Sequence, residues 1–224
     1  MASPTESKLD NRLRRGQETR HLLMQAAEKL VANKGLEQLS IREILSEAQQ
    51  NNSSALQYHF GNLQGLMVAI HAERADETRA KRAELLDQLL AANPSPDLRQ
   101  ICTLMIRPAF DLARAQPNYR RYLKAFAHQL TLIEDSAAKK VAQQGGGGES
   151  GMKLGKLLKN ALPHLGQDAL QQRMDFAVRL CASALHAQAG ASNAFRGEQS
   201  DFFIEGLTDA LVGLLSAPDS SRTN

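Results

Sequence analysis

The sequence predicts an all-α protein, and three observations carry that prediction. Apolar residues make up 42% of the 224, supplied mostly by Leu and Ala, while aromatics are 4% and Trp is absent. Leu and Ala favour helix. No window alternates β-branched or aromatic residues with polar ones at the two-residue period of a strand. Apolar residues recur instead three and four positions apart, in blocks punctuated by Gly and Pro. The length suits one or two domains.

Residues 1–15 are polar. Lys8, Arg12, Arg14, Arg15 and Arg20 crowd the first twenty residues against Glu6, Asp10 and Glu18, and the segment reads as a disordered basic arm. A helix is expected from near Gln17 to Lys34, with Leu23, Ala26, Ala27, Leu30 and Val31 on one face. Gly35 stops it. Ser40-Ile41-Arg42-Glu43 is a capping box: the Ser40 hydroxyl accepts from the Glu43 amide, and Glu43 reaches back to the Ser40 amide. The short helix it opens ends around Ala48, with Ile41, Ile44 and Leu45 inward. Gln49-Gln50-Asn51-Asn52 breaks the pattern, and Asn52 or Ser53 caps a second short helix through about His59. Phe60-Gly61-Asn62 turns the chain again.

A long helix should follow from Leu63 to Ala92. Leu66, Met67 and Ile70 face one way early, and Leu85, Leu86, Leu89 and Leu90 do so late. Its charged middle, Glu73 to Arg82, reads as a solvated face. Asn93-Pro94-Ser95-Pro96 ends it. The next helix, Asp97 to Gln116, contains Pro108, which must kink or divide it. Pro117 opens another through about Lys140. The stretch Gln143–Gly151 holds four consecutive glycines. A phosphate cradle needs a Lys-Ser/Thr ending and a preceding strand, and with neither present this is a flexible loop.

Three helices remain: Met152–Leu162, Asp168–Ala189 and Ser200–Leu215. Leu170, Met174, Ala177, Cys181, Ala184 and Gln188 form a seam on one; Phe203, Leu207, Ala210, Leu211 and Leu214 do so on the next. Such helices close their own domain or pair with a copy of themselves across a two-fold axis. In the second case Leu170, Met174, Ala177, Cys181, Ala184, Phe203, Leu207, Leu211 and Leu214 are the interface, with Ala187 also small enough for close approach.

Several function classes find no support. A net charge of +3 and a pI near 8.9 are too mild to establish nucleic-acid binding by themselves. Cys102 and Cys181 stand far apart without metal-ligand spacing and read as small buried hydrophobes in a reducing compartment. No metal, cofactor or catalytic constellation stands out. No apolar run approaches the ~20 residues of a membrane span, and no apolar block follows the N-terminal charges as in a signal peptide. A cytoplasmic, non-enzymatic protein is expected.

The informative stretch is Ser40 to Leu66. Two short helices joined by a tight turn, then a support helix, match the helix-turn-helix plan. On the second helix Leu56 points inward with Phe60 behind it. Ser53, Gln57 and Tyr58 are left outward, and small Ser54 lets the helices approach. That outward set suits base edges and phosphates, although an ordinary helical hairpin with a polar surface shows the same pattern.

The run Ser40-Ile41-Arg42-Glu43-Ile44-Leu45, Ala48, then Leu56-Gln57-Tyr58-His59-Phe60-Gly61-Asn62 and Leu66 resembles the DNA-binding domain of the TetR/AcrR family of regulators. The resemblance is specific over residues 17–70, and Leu162 to Ala189 resembles the family's first dimerisation helix. It implies a three-helix DNA-binding domain over 16–62, a helical ligand-binding and dimerisation domain over 63–217, and a disordered tail at 218–224. Three positions depart from the family pattern: Gln49 replaces a Gly, Asn51 an apolar residue, and Leu63 a phosphate-contacting Lys.

The resemblance further implies that Ser40 and Arg42 contact backbone phosphates. Asn52 joins the contact set; Ser53, Ala55, Gln57 and Tyr58 face the groove; His59 anchors phosphate or is a satisfied cap. Gln57 is the candidate for base reading, because its amide pairs bidentately with adenine. Arg12, Arg14 and Arg15 reach the minor groove as an arm. The implied function is a homodimeric repressor of double-stranded DNA operators, released when a small-molecule effector enters the C-terminal domain. Met105, Phe110, Tyr122, Phe126 and His128 are pocket candidates or simply core. The alternative is a helical homodimer that binds ligands or proteins and no longer uses its helix-turn-helix on DNA.

Overall fold

The computed structural model describes residues 4–219, and they form helices with no strand among them. In order these are α1 (Pro4–Lys34), α2 (Ile41–Glu47), α3 (Ala55–Phe60), α4 (Leu63–Ala92), α5 (Leu98–Ala115), α6 (Pro117–Phe126), α7 (Ala137–Val141), α8 (Gly148–Ala161), α9 (Gln167–Gly190) and α10 (Gly197–Ser216). A 3-10 turn at Ala127–Thr131 and a π turn at Ala142–Gly146 flank α7. The all-α expectation holds. None of these helices is long and apolar enough to cross a membrane.

The chain divides into two compact units, one ending at His71 and the other starting at Ala72. The sequence reading sets its division at 62/63. The observed division falls inside α4, whose Leu66, Met67 and Ile70 are buried and belong to the first unit. The segment expected to be a disordered arm is helical from Pro4 onward, continuous with α1. Most of the expected tail, residues 220–224, lies outside the described residues.

The first unit is a small core of Leu23, Ala27 and Val31 from α1, Ile44 and Leu45 from α2, and Leu56 from α3. Ile41 departs from expectation. It is 42% exposed, because the α2 phase that buries Ile44 and Leu45 turns the first residue outward.

The second unit is centred on Ile101, Cys102, Ile106 and Phe110 of α5, packed with Leu158 of α8, Ala177 and Leu185 of α9, and Leu207 and Leu211 of α10. The α5 capping box is complete: the Asp97 carboxylate accepts from the Gln100 amide at 2.8 Å, and the Gln100 side chain accepts from the Asp97 amide at 3.0 Å. Pro108 does not divide α5, which runs unbroken through it. Both cysteines are free and buried, and burial pushes the thiols up to about 11 for Cys102 and about 12 for Cys181. They are unreactive fillers, as expected.

Tertiary contacts override local pattern in three places. The helix expected from Pro117 to Lys140 stops at Phe126, tightens into the 3-10 turn and leaves helical geometry after Thr131. The Arg179 guanidinium of α9 donates to the carbonyls of Leu130, Thr131, Ile133 and Asp135 at 2.6–3.3 Å, and these carbonyls are thereby lost to helix. The four glycines are not a free loop. Arg79 donates to the Gly145 carbonyl, while Arg82 donates to those of Gly146 and Gly147 at 2.6 Å each. Finally, the charged middle of α4 is not a uniformly solvated face: Arg74 is buried and donates to Glu77 at 2.7 Å.

Candidate functional site

The α2–α3 segment is built by its caps. Ser40 has extended backbone, and its hydroxyl accepts from the Glu43 amide at 3.3 Å. The other half of the expected capping box is replaced. Glu43 takes the Ser40 hydroxyl at 2.5 Å and the Lys34 ammonium at 2.5 Å instead of the Ser40 amide. Those two hydrogen bonds, Lys34 first, hold its carboxyl below the usual range.

α2 ends in a Schellman motif. The Gln50 amide donates to the Leu45 carbonyl at 2.8 Å and the Gln49 amide to the Ser46 carbonyl at 3.0 Å. Gln49 therefore sits in the left-handed region, with φ 53°. A glycine there would have marked the helix end in the sequence. Asn52 does not cap α3 directly: its side-chain oxygen accepts from the Ser54 amide at 2.9 Å, shaping the turn ahead of the helix. Asn62 reads from the sequence only as part of a turn, yet its side chain accepts from the Gly65 amide at 2.8 Å and caps α4.

Within α3, Ala55 and Leu56 are buried, and Gln57 and Tyr58 are exposed, Tyr58 at 79%. This corrects the placement of Ala55. At 5% exposure it packs inward and cannot face a groove, while Ser54, expected to ease the approach of the helices, is exposed. A short helix with two buried residues at its start presents the next two outward. Ser40, Arg42, Asn52 and Ser53 are also exposed. So is Arg15, on α1 rather than on an arm. The Arg12 side chain lies outside the described residues, and Arg14 approaches Glu18 at 4.0 Å.

His59 is half-buried, edge-on to Tyr58 with ring centres 4.9 Å apart. Burial, and secondarily the charge of Arg20, hold its imidazole below the usual histidine range. Arg20 lies 5.3 Å from the centre of the Phe60 ring, a cation–π contact that ties α1 to the end of α3.

The expected pocket residues do not form one group. Phe110 is 1% exposed and packs against Phe195 and Phe203, with ring centres 5.4 and 6.3 Å away; it is core. Met105 is half-buried against the same core. Tyr122 and Phe126 do come together, at 5.5 Å, continuing a row from Tyr119. His128 meets His186 of α9, with ring centres 4.7 Å apart. Side-chain atoms buried without a hydrogen-bond partner among the described residues are Glu77 Oε2, Arg121 Nε and His128 Nδ1. Burial pushes the Glu77 carboxyl up despite Arg74, and lowers the His128 imidazole, helped by His186. Sequence reasoning misses Glu77 and His186 because neither stands beside the aromatic cluster along the chain.

The expected interface residues are corrected in part. Ala177, Cys181, Leu207 and Leu211 are buried within the single chain, while Leu170, Met174, Ala184, Phe203 and Leu214 are half-buried. The seam closes the chain's own core. The outer faces carry Phe176, Ser183 and Ala187 on α9, and Phe202, Gly206, Ala210 and Gly213 on α10, with Phe202 82% exposed.

No family model and no curated protein matches the chain. Among solved structures it is similar to RolR in complex with the ligand resorcinol, at 15% identity and a TM-score of 0.49, over 92% of this chain and 97% of that one.

Proposed function

We propose that the chain is a dimeric, sequence-specific DNA-binding transcriptional regulator, a repressor released by a small-molecule effector. The observation that carries this reading is the exposed Gln57–Tyr58 pair on a short helix whose opposite side, Ala55 and Leu56, is anchored in the core. A major groove admits such a helix, and a Gln amide there pairs with adenine. Ser40 and Arg42 lie exposed at the start of α2, where they would position the unit on phosphates. Gln57 and Tyr58 carry sequence choice, and His59 donates an N–H to phosphate.

The dimer forms through the outer faces of α9 and α10. Phe176 and Phe202 are large exposed apolar side chains, and Gly206, Ala210 and Gly213 leave room for a second copy to approach closely. A duplex presents two half-sites about 34–36 Å apart, so a pair of recognition helices is sensitive to small changes in their separation. α4 begins in the first unit and continues in the second, which makes it the covalent route for a signal. The effector site is the Tyr119–Tyr122–Phe126 row with Glu77, whose charge acts on Tyr119. Leaving a buried polar atom unpaired costs about 1–3 kcal/mol, and a ligand with matching polar groups recovers that. A coupling of about 1–3 kcal/mol lowers DNA affinity several-fold to about a hundredfold.

Genome-wide capture of DNA bound by the full chain tests the reading. Enrichment of a few palindromic sites supports it; capture no better than for an unrelated protein of equal charge rejects it. Light scattering should give twice the chain mass for the protein and the chain mass for Phe202→Glu.

A further inference from the structure

We propose that a trough between α4 and the first turns of α8 is a second small-molecule site, one that takes an organic cation with a flat apolar body. The trough is open to solvent along one side and holds about 430 Å³, a volume sufficient for a small ligand. Its origin is legible in α4. Asp76, Ala80, Ala83 and Asp87 fall at intervals of four, three and four residues, one helical stripe. The two alanines fill little space, so the wall opposite Ser150 stands back. Asp76 and Asp87 mark its two ends, about 16 Å apart along the helix axis.

Charge selects the occupant. Three carboxylates, Asp76, Asp87 and Glu149, face two cations, Arg79 and Lys153. Both cations are engaged. Arg79 donates to Asp76 and to the Gly145 carbonyl. A side chain on Gly148 would come within 2.7 Å of Arg79 Cδ, so glycine there lets the loop lie against the arginine. Lys153 pairs with Glu149 at 2.9 Å. The Ser150 hydroxyl accepts from Arg82 at 3.1 Å and donates to the Arg79 carbonyl at 3.4 Å. Among the described residues Asp87 is the lining carboxylate without a hydrogen bond or ion pair, and it acts on Lys153 only through space. An ammonium group at Asp87, with its body over Ala83 and Ala80, satisfies the charge and covers the apolar floor. An anion meets donors that are already committed. This trough shares no residue with the Tyr119–Tyr122–Phe126 row or with Glu77, and its occupancy is measured without reference to DNA.

The test is a fluorescence titration of the full chain, which lacks Trp, with 1-naphthylmethylammonium, 1-naphthylmethanol and 1-naphthylacetate. The expected result is saturation at one cation per chain, with the anion at least tenfold weaker and the alcohol between them. Asp87→Asn should weaken the cation about two- to fivefold at an unchanged melting temperature. Ala83→Leu should abolish binding of both cation and alcohol by filling the floor. Equal binding of cation and anion, no saturation by the cation, or an Asp87→Asn variant that binds as before overturns the proposal.

Discussion

Replacing Gln49 by glycine should stabilise the first unit. Gln49 occupies the residue after the α2 C-cap, at φ 53°, where its Cβ crowds the neighbouring carbonyl. A left-handed conformation costs a residue with a Cβ about 1–2 kcal/mol. Glycine removes that cost but widens the unfolded ensemble by about 0.4–1 kcal/mol. The Gln49 side chain is exposed and makes no hydrogen bond among the described residues, so its loss subtracts little. The balance is a gain of about 0.5–1 kcal/mol, or about 2–8 °C in the melting temperature of a unit this size. Scanning calorimetry of the full chain reads the effect, with Gln49→Ala as control: alanine keeps the Cβ and should leave the transition near its original place. A glycine variant that melts at or below the parent temperature, or an alanine variant that gains as much, would refute the strain assigned to this position.

Three further outcomes are expected. Ser40→Ala removes the α2 cap and should lower urea stability by about 1 kcal/mol, with Ser40→Thr recovering most of it; equal losses in both would mean that the cap contributes nothing. Gly148→Ala places a Cβ at φ 60° and 2.7 Å from Arg79 Cδ, and should destabilise the second unit by about 1–3 kcal/mol; a calorimetric shift in the first unit alone would contradict this. His128 is depressed chiefly by burial and then by His186, so between its folded value and about 6.5 the unfolded chain binds more protons. Its share of stability is complete above about 6.5 and is lost as pH falls toward the folded value. His128→Gln should therefore flatten the fall in melting temperature between about pH 7.5 and 5.5, and an equally steep profile would show that the imidazole is not desolvated.

Much of the first unit is legible in the sequence because its signals are local. Ser40 with Glu43 announces a helix start, and the buried Leu56 fixes which side of α3 faces out. Ala55 is misplaced by the family resemblance and not by the pattern: the local reading puts only Ser53, Gln57 and Tyr58 outward, and Ala55 is buried beside Leu56. The polar break marks the end of α2 near Ala48, but not its Schellman geometry, because Gln49 stands where glycine usually signals it. In the second unit the apolar seam of α9 and α10 is visible as a seam, but core and interface are both apolar. Only burial shows that Ala177 and Leu211 are used within the chain, leaving Phe176 and Phe202 outside. The breaks at Thr131 and at the glycine run depend on Arg179, Arg79 and Arg82, partners some fifty to seventy positions away, and no local pattern announces such pairings.

The central claim is that the outer face of α3 reads DNA. Fluorescence anisotropy on a captured site, against a scrambled duplex of equal length and at fixed salt, tests it with the Gln57→Ala, Tyr58→Ala double variant. Its two side chains are exposed, so its melting temperature should match the parent. The account predicts a loss of at least about tenfold on the specific site and almost none on the scrambled one. Unchanged affinity for the specific site, in a variant that is folded and dimeric, would contradict it.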